Sequence, residues 1–318
     1  MAGPLRFLRM LILLTVVVFT VLAAVTWAGT IAIERANPPS GRFVDIEGGR
    51  LHIVELGRAD APPVVLLHGA SGNLRDLQLT LGDRLAARYR VILIDRPGHG
   101  WSDRPGGAAD ASPATQAVLI HQALVALGVT KPIVLGHSWS GALATAYALA
   151  FPEETRALVL LSPVTHPWPG GIGWINDVVA LPVLGPLIAH TLILPTGYFM
   201  LKPGVAGVFR PDTPPPDYGA HTGVAMLLRP NEFIANAQDL SGLKDFVRAQ
   251  APRYGELKMP VTIISGDKDP VVYTDIHSRS IARQVPRATL TVLPGVGHMV
   301  QYVAADDVVR AVDAMAAR

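Results

Sequence analysis

The run Ile133-Val134-Leu135-Gly136-His137-Ser138-Trp139-Ser140-Gly141-Ala142-Leu143-Ala144-Thr145 changes character at its middle. Its first three residues are continuously apolar, as in a strand covered on both faces, and its last four open a helix of small residues. Between them Ser138 stands at a strand-to-helix turn with Gly or Ser two positions away on either side. A turn this tight strains the serine backbone, lets helix and strand approach closely, and leaves the hydroxyl exposed above the sheet. The helix N-terminus then points free N–H groups and positive potential at the place where an oxyanion would form. Gly-x-Ser-x-small is only moderately specific, so the surrounding chain decides its meaning.

Outward from this turn, short β-branched runs occupy residues 43–47, 51–56, 64–67, 91–94, 158–161, 261–264 and 289–293. The first two flank Gly48-Gly49 and predict an antiparallel hairpin; the later ones predict strands with helices on both faces. Helical spacing over 74–89, 115–127, 141–151 and 275–284 supplies the crossovers between them. The expected fold class is therefore α/β, with a mostly parallel sheet flanked by helices. Residues 164–258 break the alternation, hold no convincing strand, and predict an inserted helical cap. Between residues 164 and 209 only Asp177 and Lys202 are charged, which suits a lid core, an apolar pocket or contact with lipid.

The N-terminus adds a second theme. Residues 10–33 are 24 positions without a charged side chain, about 36 Å as a helix against a hydrocarbon core of about 30 Å. Arg6 and Arg9 precede the run. It reads as a transmembrane anchor with a cytoplasmic N-terminus and the remainder of the chain on the non-cytoplasmic side. The alternatives are a signal peptide cleaved near Thr26-Trp27-Ala28, giving a secreted protein, and a helix buried in the soluble domain. The expected organisation is 1–41 anchor or signal with a Pro/Gly linker, 42–163 first part of the core, 164–258 cap, and 259–318 second part of the core.

Composition narrows the function classes. Half of the 318 residues are hydrophobic and 16% are charged, against about 25% charged in ordinary domains, which excludes a solvated disordered chain. The net charge is +2 without basic runs, so nucleic acid is not expected as a partner. The absence of cysteine removes disulfides, thiolate nucleophiles and Cys-ligated zinc, and no His/Asp/Glu spacing suggests a metal or cofactor.

Several motifs together give the chain its resemblance to the α/β-hydrolase superfamily, from about residue 43 to the C-terminus with the cap as interruption. They are Leu66-Leu67-His68-Gly69-Ala70, Asp95-Arg96-Pro97-Gly98-His99-Gly100-Trp101-Ser102, the Ser138 turn, Gly266-Asp267-Lys268-Asp269-Pro270, and Pro294-Gly295-Val296-Gly297-His298. The resemblance implies Ser138 as nucleophile, His298 as general base, Asp269 as the orienting acid, and the N–H groups of Ala70 and Trp139 as oxyanion donors. One position departs from the family pattern: Ser140 stands where Gly is usual. The implied activity is hydrolysis of an ester or related acyl compound with an apolar group through an acyl-enzyme. Perhydrolase or haloperoxidase-like, carbon–carbon hydrolase and amidase activities share the same three residues, and a non-catalytic binding protein on the same fold is the alternative of another class. His68, His99 and His137 read as structural, and His166, His190, His221 and His277 belong to no motif. The expected partners are an apolar small-molecule acyl substrate and, through residues 10–33, a membrane.

Overall fold

The computed structural model describes residues 3–317. Helix α1 (Gly3–Ala36) carries the uncharged run, and its apolar side chains from Leu5 to Val18 face outward. Its C-terminal part is fastened to the remainder of the molecule. Thr26 Oγ1 donates to the Thr191 carbonyl at 3.4 Å. Gly29 lets the helix approach, since a Cβ there would lie 2.8 Å from a Leu194 methyl.

Strands β1 (Arg42–Ile46) and β2 (Gly49–Leu56) form the expected hairpin around Gly48, whose φ of +79° fits a residue without a side chain. After them come β3 (Pro63–Leu67), β4 (Arg90–Ile94), β5 (Ile133–His137), β6 (Ala157–Leu161), β7 (Val261–Gly266) and β8 (Ala288–Leu293). The sheet order is β1-β2-β4-β3-β5-β6-β7-β8, antiparallel as far as the β2–β4 pair and parallel beyond it. The apolar runs follow from this placement, because alternate residues of one strand enter different cores. Val65 and Leu67 of β3 pack beneath α2 (Pro113–Ala126) and α3 (Ser140–Ala150), whereas Val64 and Leu66 meet Leu77, Leu81 and Leu85 on the other face. Ser112 caps α2 by accepting from the Ala114 N–H, and Pro113 occupies its first turn.

Between β6 and β7 the regular elements among the described residues are all helices. Short helical turns run from residue 174 to 209, followed by the 21-residue helix α4 (Pro230–Gln250). Helix α4 belongs to two layers: Ala237 packs among cap residues Val179, Ile193 and Leu194, while Leu243 and Val247 join the core beside α3. Helices α5 (Ser278–Gln284) and α6 (Ala305–Ala316) complete the layers around β7 and β8.

Candidate active site

Ser138 follows β5 directly and has φ of +56°, the left-handed region that costs a non-glycine residue energy. Two close approaches hold it there. A Cβ on Gly136 would fall 2.3 Å from the Ser140 carbonyl, and one on Gly141 would fall 2.3 Å from Pro163 Cβ. The departure at Ser140 has a definite consequence, because its hydroxyl donates to the His68 carbonyl at 2.5 Å. The helix start is thereby tied to the loop after β3.

The three residues implied by the motifs meet at the C-terminal ends of the strands. Ser138 Oγ lies 2.9 Å from His298 Nε2, and His298 Nδ1 lies 2.7 Å from Asp269 Oδ2. Asp269 Oδ1 in turn accepts the N–H groups of Val271 and Val272, both at 2.8 Å. Three donors thus fix this buried carboxylate, which leaves Nδ1–H on His298 and an acceptor lone pair at Nε2 for the serine hydroxyl. Asp267, two positions earlier, faces away and accepts the Gly295 N–H at 2.7 Å in an exposed turn.

Ala70 and Trp139 both border the cavity above Ser138, and neither backbone N–H donates to another of the described residues. Beneath them lies a buried ionic cluster. The Arg96 guanidinium stacks 4.0 Å from the Trp139 ring centre, donates to Asp239 Oδ2 at 2.6 Å and to Gln116 at 3.0 Å, and reaches the Gly69 carbonyl at 3.4 Å. Trp139 Nε1–H donates to the Asp239 carbonyl at 3.1 Å. Arg104 binds the second oxygen of the same carboxylate at 2.8 Å. Asp239 sits on α4, so one residue of the inserted region grips both the turn after β4 and the residue following Ser138. His68 locks the loop from the other side: Nδ1–H donates to Gly69, Nε2 accepts the Arg96 N–H, and burial holds its pKa down to about 3.

The cavity measures about 560 Å³ and its walls are mostly apolar, contributed by the sheet end, α4 and the segment 197–208. No Lys or Arg is among its lining residues, and the single acid is Asp76. Asp76 accepts from Tyr218 Oη at 2.8 Å and from Gln301 Nε2 at 3.1 Å, while Tyr302 Oη donates to its backbone carbonyl. Burial raises the Asp76 pKa above the ordinary carboxylate value. His277 also lines the cavity. Its Nδ1 accepts the backbone N–H groups of Thr165 and His166, each at 3.2 Å, so the proton resides on Nε2. Burial depresses its pKa to about 4, which keeps the ring a neutral donor.

His277 and Asp76 belong to no sequence motif, and their part in the site arises from chain segments more than 100 residues apart. Arg96 does stand in a quoted motif, but a turn rich in Gly and Pro disguises a guanidinium aimed inward. Among the described residues no group of three or more His, Asp or Glu side chains is gathered as metal ligands would be.

A family model described as alpha/beta hydrolase fold matches residues 62–181. The chain is 29% identical over 291 residues to the 2-hydroxy-6-oxo-6-phenylhexa-2,4-dienoate hydrolase of Burkholderia cepacia, covering 86% of this chain and 95% of the relative. It is equally 29% identical to the 2-hydroxy-6-oxononadienedioate/2-hydroxy-6-oxononatrienedioate hydrolase of Cupriavidus pinatubonensis, with 88% and 92% covered. Among solved structures, a bacterial membrane phospholipase A superposes with a TM-score of 0.69 at 21% identity over 98% of this chain and 97% of its own. At that identity the likeness is one of fold, and its span takes in most of α1.

Proposed function

We propose that this chain, a hydrolase of the α/β-hydrolase superfamily, cleaves an uncharged apolar carbonyl compound with Ser138 as its nucleophile. His298 takes the serine proton as Oγ attacks the carbonyl carbon, Asp269 orients the imidazole and stabilises its charged form, and the N–H groups of Ala70 and Trp139 receive the oxyanion. Collapse expels the leaving group with the proton returned from His298. Water, activated by the same imidazole, then releases the acyl group. The observation that carries this reading is the hydrogen-bonded line Asp269–His298–Ser138 at 2.7 and 2.9 Å, ending in an apolar cavity.

Two kinds of bond fit the line. The curated relatives favour a carbon–carbon bond, since both are named for hydrolysing oxo-dienoates. The cavity favours a neutral substrate, because it offers no cation to a carboxylate and already contains the buried acid Asp76. A neutral diketone whose carbon–carbon bond is cleaved meets both observations, and a neutral ester meets the second. A panel of 4-nitrophenyl esters of rising chain length, a neutral β-diketone and the anionic 2-hydroxy-6-oxo-6-phenylhexa-2,4-dienoate tests this. We expect kcat/KM to rise with apolar length, by up to about fourfold per buried methylene, and the neutral compounds to exceed the dienoate. A dienoate turned over faster than every neutral compound would overturn the charge argument and establish the relatives' reaction.

The anchor reading extends to α1. The bond from Thr26 Oγ1 to the Thr191 carbonyl joins the chain N-terminal to Ala28 to the inserted region, which favours retention over cleavage there. Arg6 and Arg9 favour a cytoplasmic N-terminus with the catalytic part on the opposite side.

A further inference from the structure

Residues 178–201 contain no Asp, Glu, Lys or Arg, yet much of this stretch faces outward. Val183 is 78% exposed and Phe199 is 79% exposed, and Leu184, Leu187, Tyr198 and Met200 are each at least half exposed. Scattered single apolar residues on a surface need no explanation, whereas six large ones within 18 positions, with no charge between them, form a patch that requires a partner.

The place of this patch along α1 identifies the partner. Thr191 and Leu194 of the same segment fasten to Thr26 and Gly29, which lie seven and four residues before the end of the uncharged run at Ile33. That is about 6–10 Å along the helix axis, and about 20 of the run's 24 residues already fill the hydrocarbon core. On the anchor reading proposed above, on which this inference rests, the cap is attached at the level where α1 leaves the bilayer. Trp27, 70% exposed beside the attachment, and Tyr198 are residue types that settle at that level. Exposed Lys202 and Arg210 follow the patch in the chain, as headgroup phosphates would favour.

We propose that the exposed face around Val183, Leu184, Leu187, Phe199 and Met200 rests in the headgroup–acyl boundary of the leaflet from which α1 emerges. It is a second membrane contact, reversible and distinct from the spanning helix. Gly197 and Leu201 of the same segment, with Gly204 just after it, line the Ser138 cavity, and Met200 borders both the cavity and the exposed face.

The absence of native cysteine makes the test direct. Full-length Val183→Cys, Phe199→Cys, Val17→Cys and Arg58→Cys, each carrying an environment-sensitive fluorophore, are reconstituted into phosphatidylcholine–phosphatidylglycerol vesicles. A second set of vesicles contains lipids brominated near the upper end of the acyl chains. Position 17 reports the spanning helix, and position 58 reports an exposed loop of the core. The proposal predicts blue-shifted emission at 183 and 199 and quenching of about twofold or more by bromine, with none at 58. Unquenched probes at 183 and 199 overturn it, whether or not position 17 is quenched. Blue-shifted but unquenched emission there assigns the patch to a second copy of the chain, and also overturns it. Retained ester hydrolysis in each labelled variant establishes that it is folded.

Discussion

At the scale of single residues, the site separates groups that look alike in sequence. Asp267 and Asp269 are two positions apart, but only Asp269 reaches His298, while Asp267 holds the Gly295 turn. Asp269→Asn should lower kcat by about 10⁴-fold in a folded protein, because the amide favours the wrong imidazole tautomer. Asp267→Asn should cost less than about tenfold and act mainly on melting temperature; a reversed order of the two kcat values at equal melting temperatures would refute the assignment. His277 offers a second test. As a neutral Nε2–H donor in an apolar cavity it suits a substrate carbonyl remote from Ser138, so His277→Leu should raise KM about 3–10-fold for substrates with a second carbonyl. Mono-esters should be unaffected, and an equal rise for both classes would argue against this role. Its titration carries a sign as well. The folded value of about 4 lies below the unfolded 6.5, so the unfolded chain takes up a proton that the native protein refuses. This contribution to stability is complete above about 6.5 and is lost as pH falls toward about 4. Melting temperature measured from pH 7.5 to 4.5 should therefore fall less steeply in His277→Leu than in the natural chain.

At the scale of elements, all eight strands are legible in the sequence, β3 to β7 as apolar runs covered on both faces, β1 and β2 as runs flanking Gly48-Gly49, and β8 as a β-branched run at the sheet edge, and their ends come within a few residues of expectation. Ser138 is legible for the same reason: Gly136, Ser140 and Gly141 announce a close helix–strand approach wherever it occurs. The inserted region is legible only as an absence of strands. Nothing local marks α4 as half cap and half core, since Ala237 and Leu243 look alike until Leu243 meets the layer beside α3. Likewise Asp239 resembles any polar residue on a helix, and only the fold brings it to Arg96 and Arg104. Breaking that contact leaves two guanidinium groups in or near the interior without their carboxylate. Asp239→Ala should thus destabilise the protein by about 3–5 kcal/mol. Asp239→Asn, which retains one acceptor, should lose less in chemical denaturation. Equal, small losses for both would mean that the cluster contributes nothing to holding α4 on the core.

At the scale of the whole molecule, one end is a membrane-length helix and the other a hydrolase fold whose cavity is roofed by residues attached to that helix. The attachment through Thr191 and Leu194 couples the two ends, so α1 is part of the tertiary structure. The central claim, however, rests on one oxygen atom: Ser138 Oγ, strained into position above the sheet and hydrogen-bonded to His298. The most direct measurement is the intact mass of the full-length protein after treatment with a fluorophosphonate, followed by peptide mapping. The account predicts one stoichiometric adduct on Ser138 with parallel loss of hydrolysis, and no adduct in folded Ser138→Ala. A folded, active protein that stays unmodified, or one labelled at another residue while hydrolysis survives in Ser138→Ala, would contradict it.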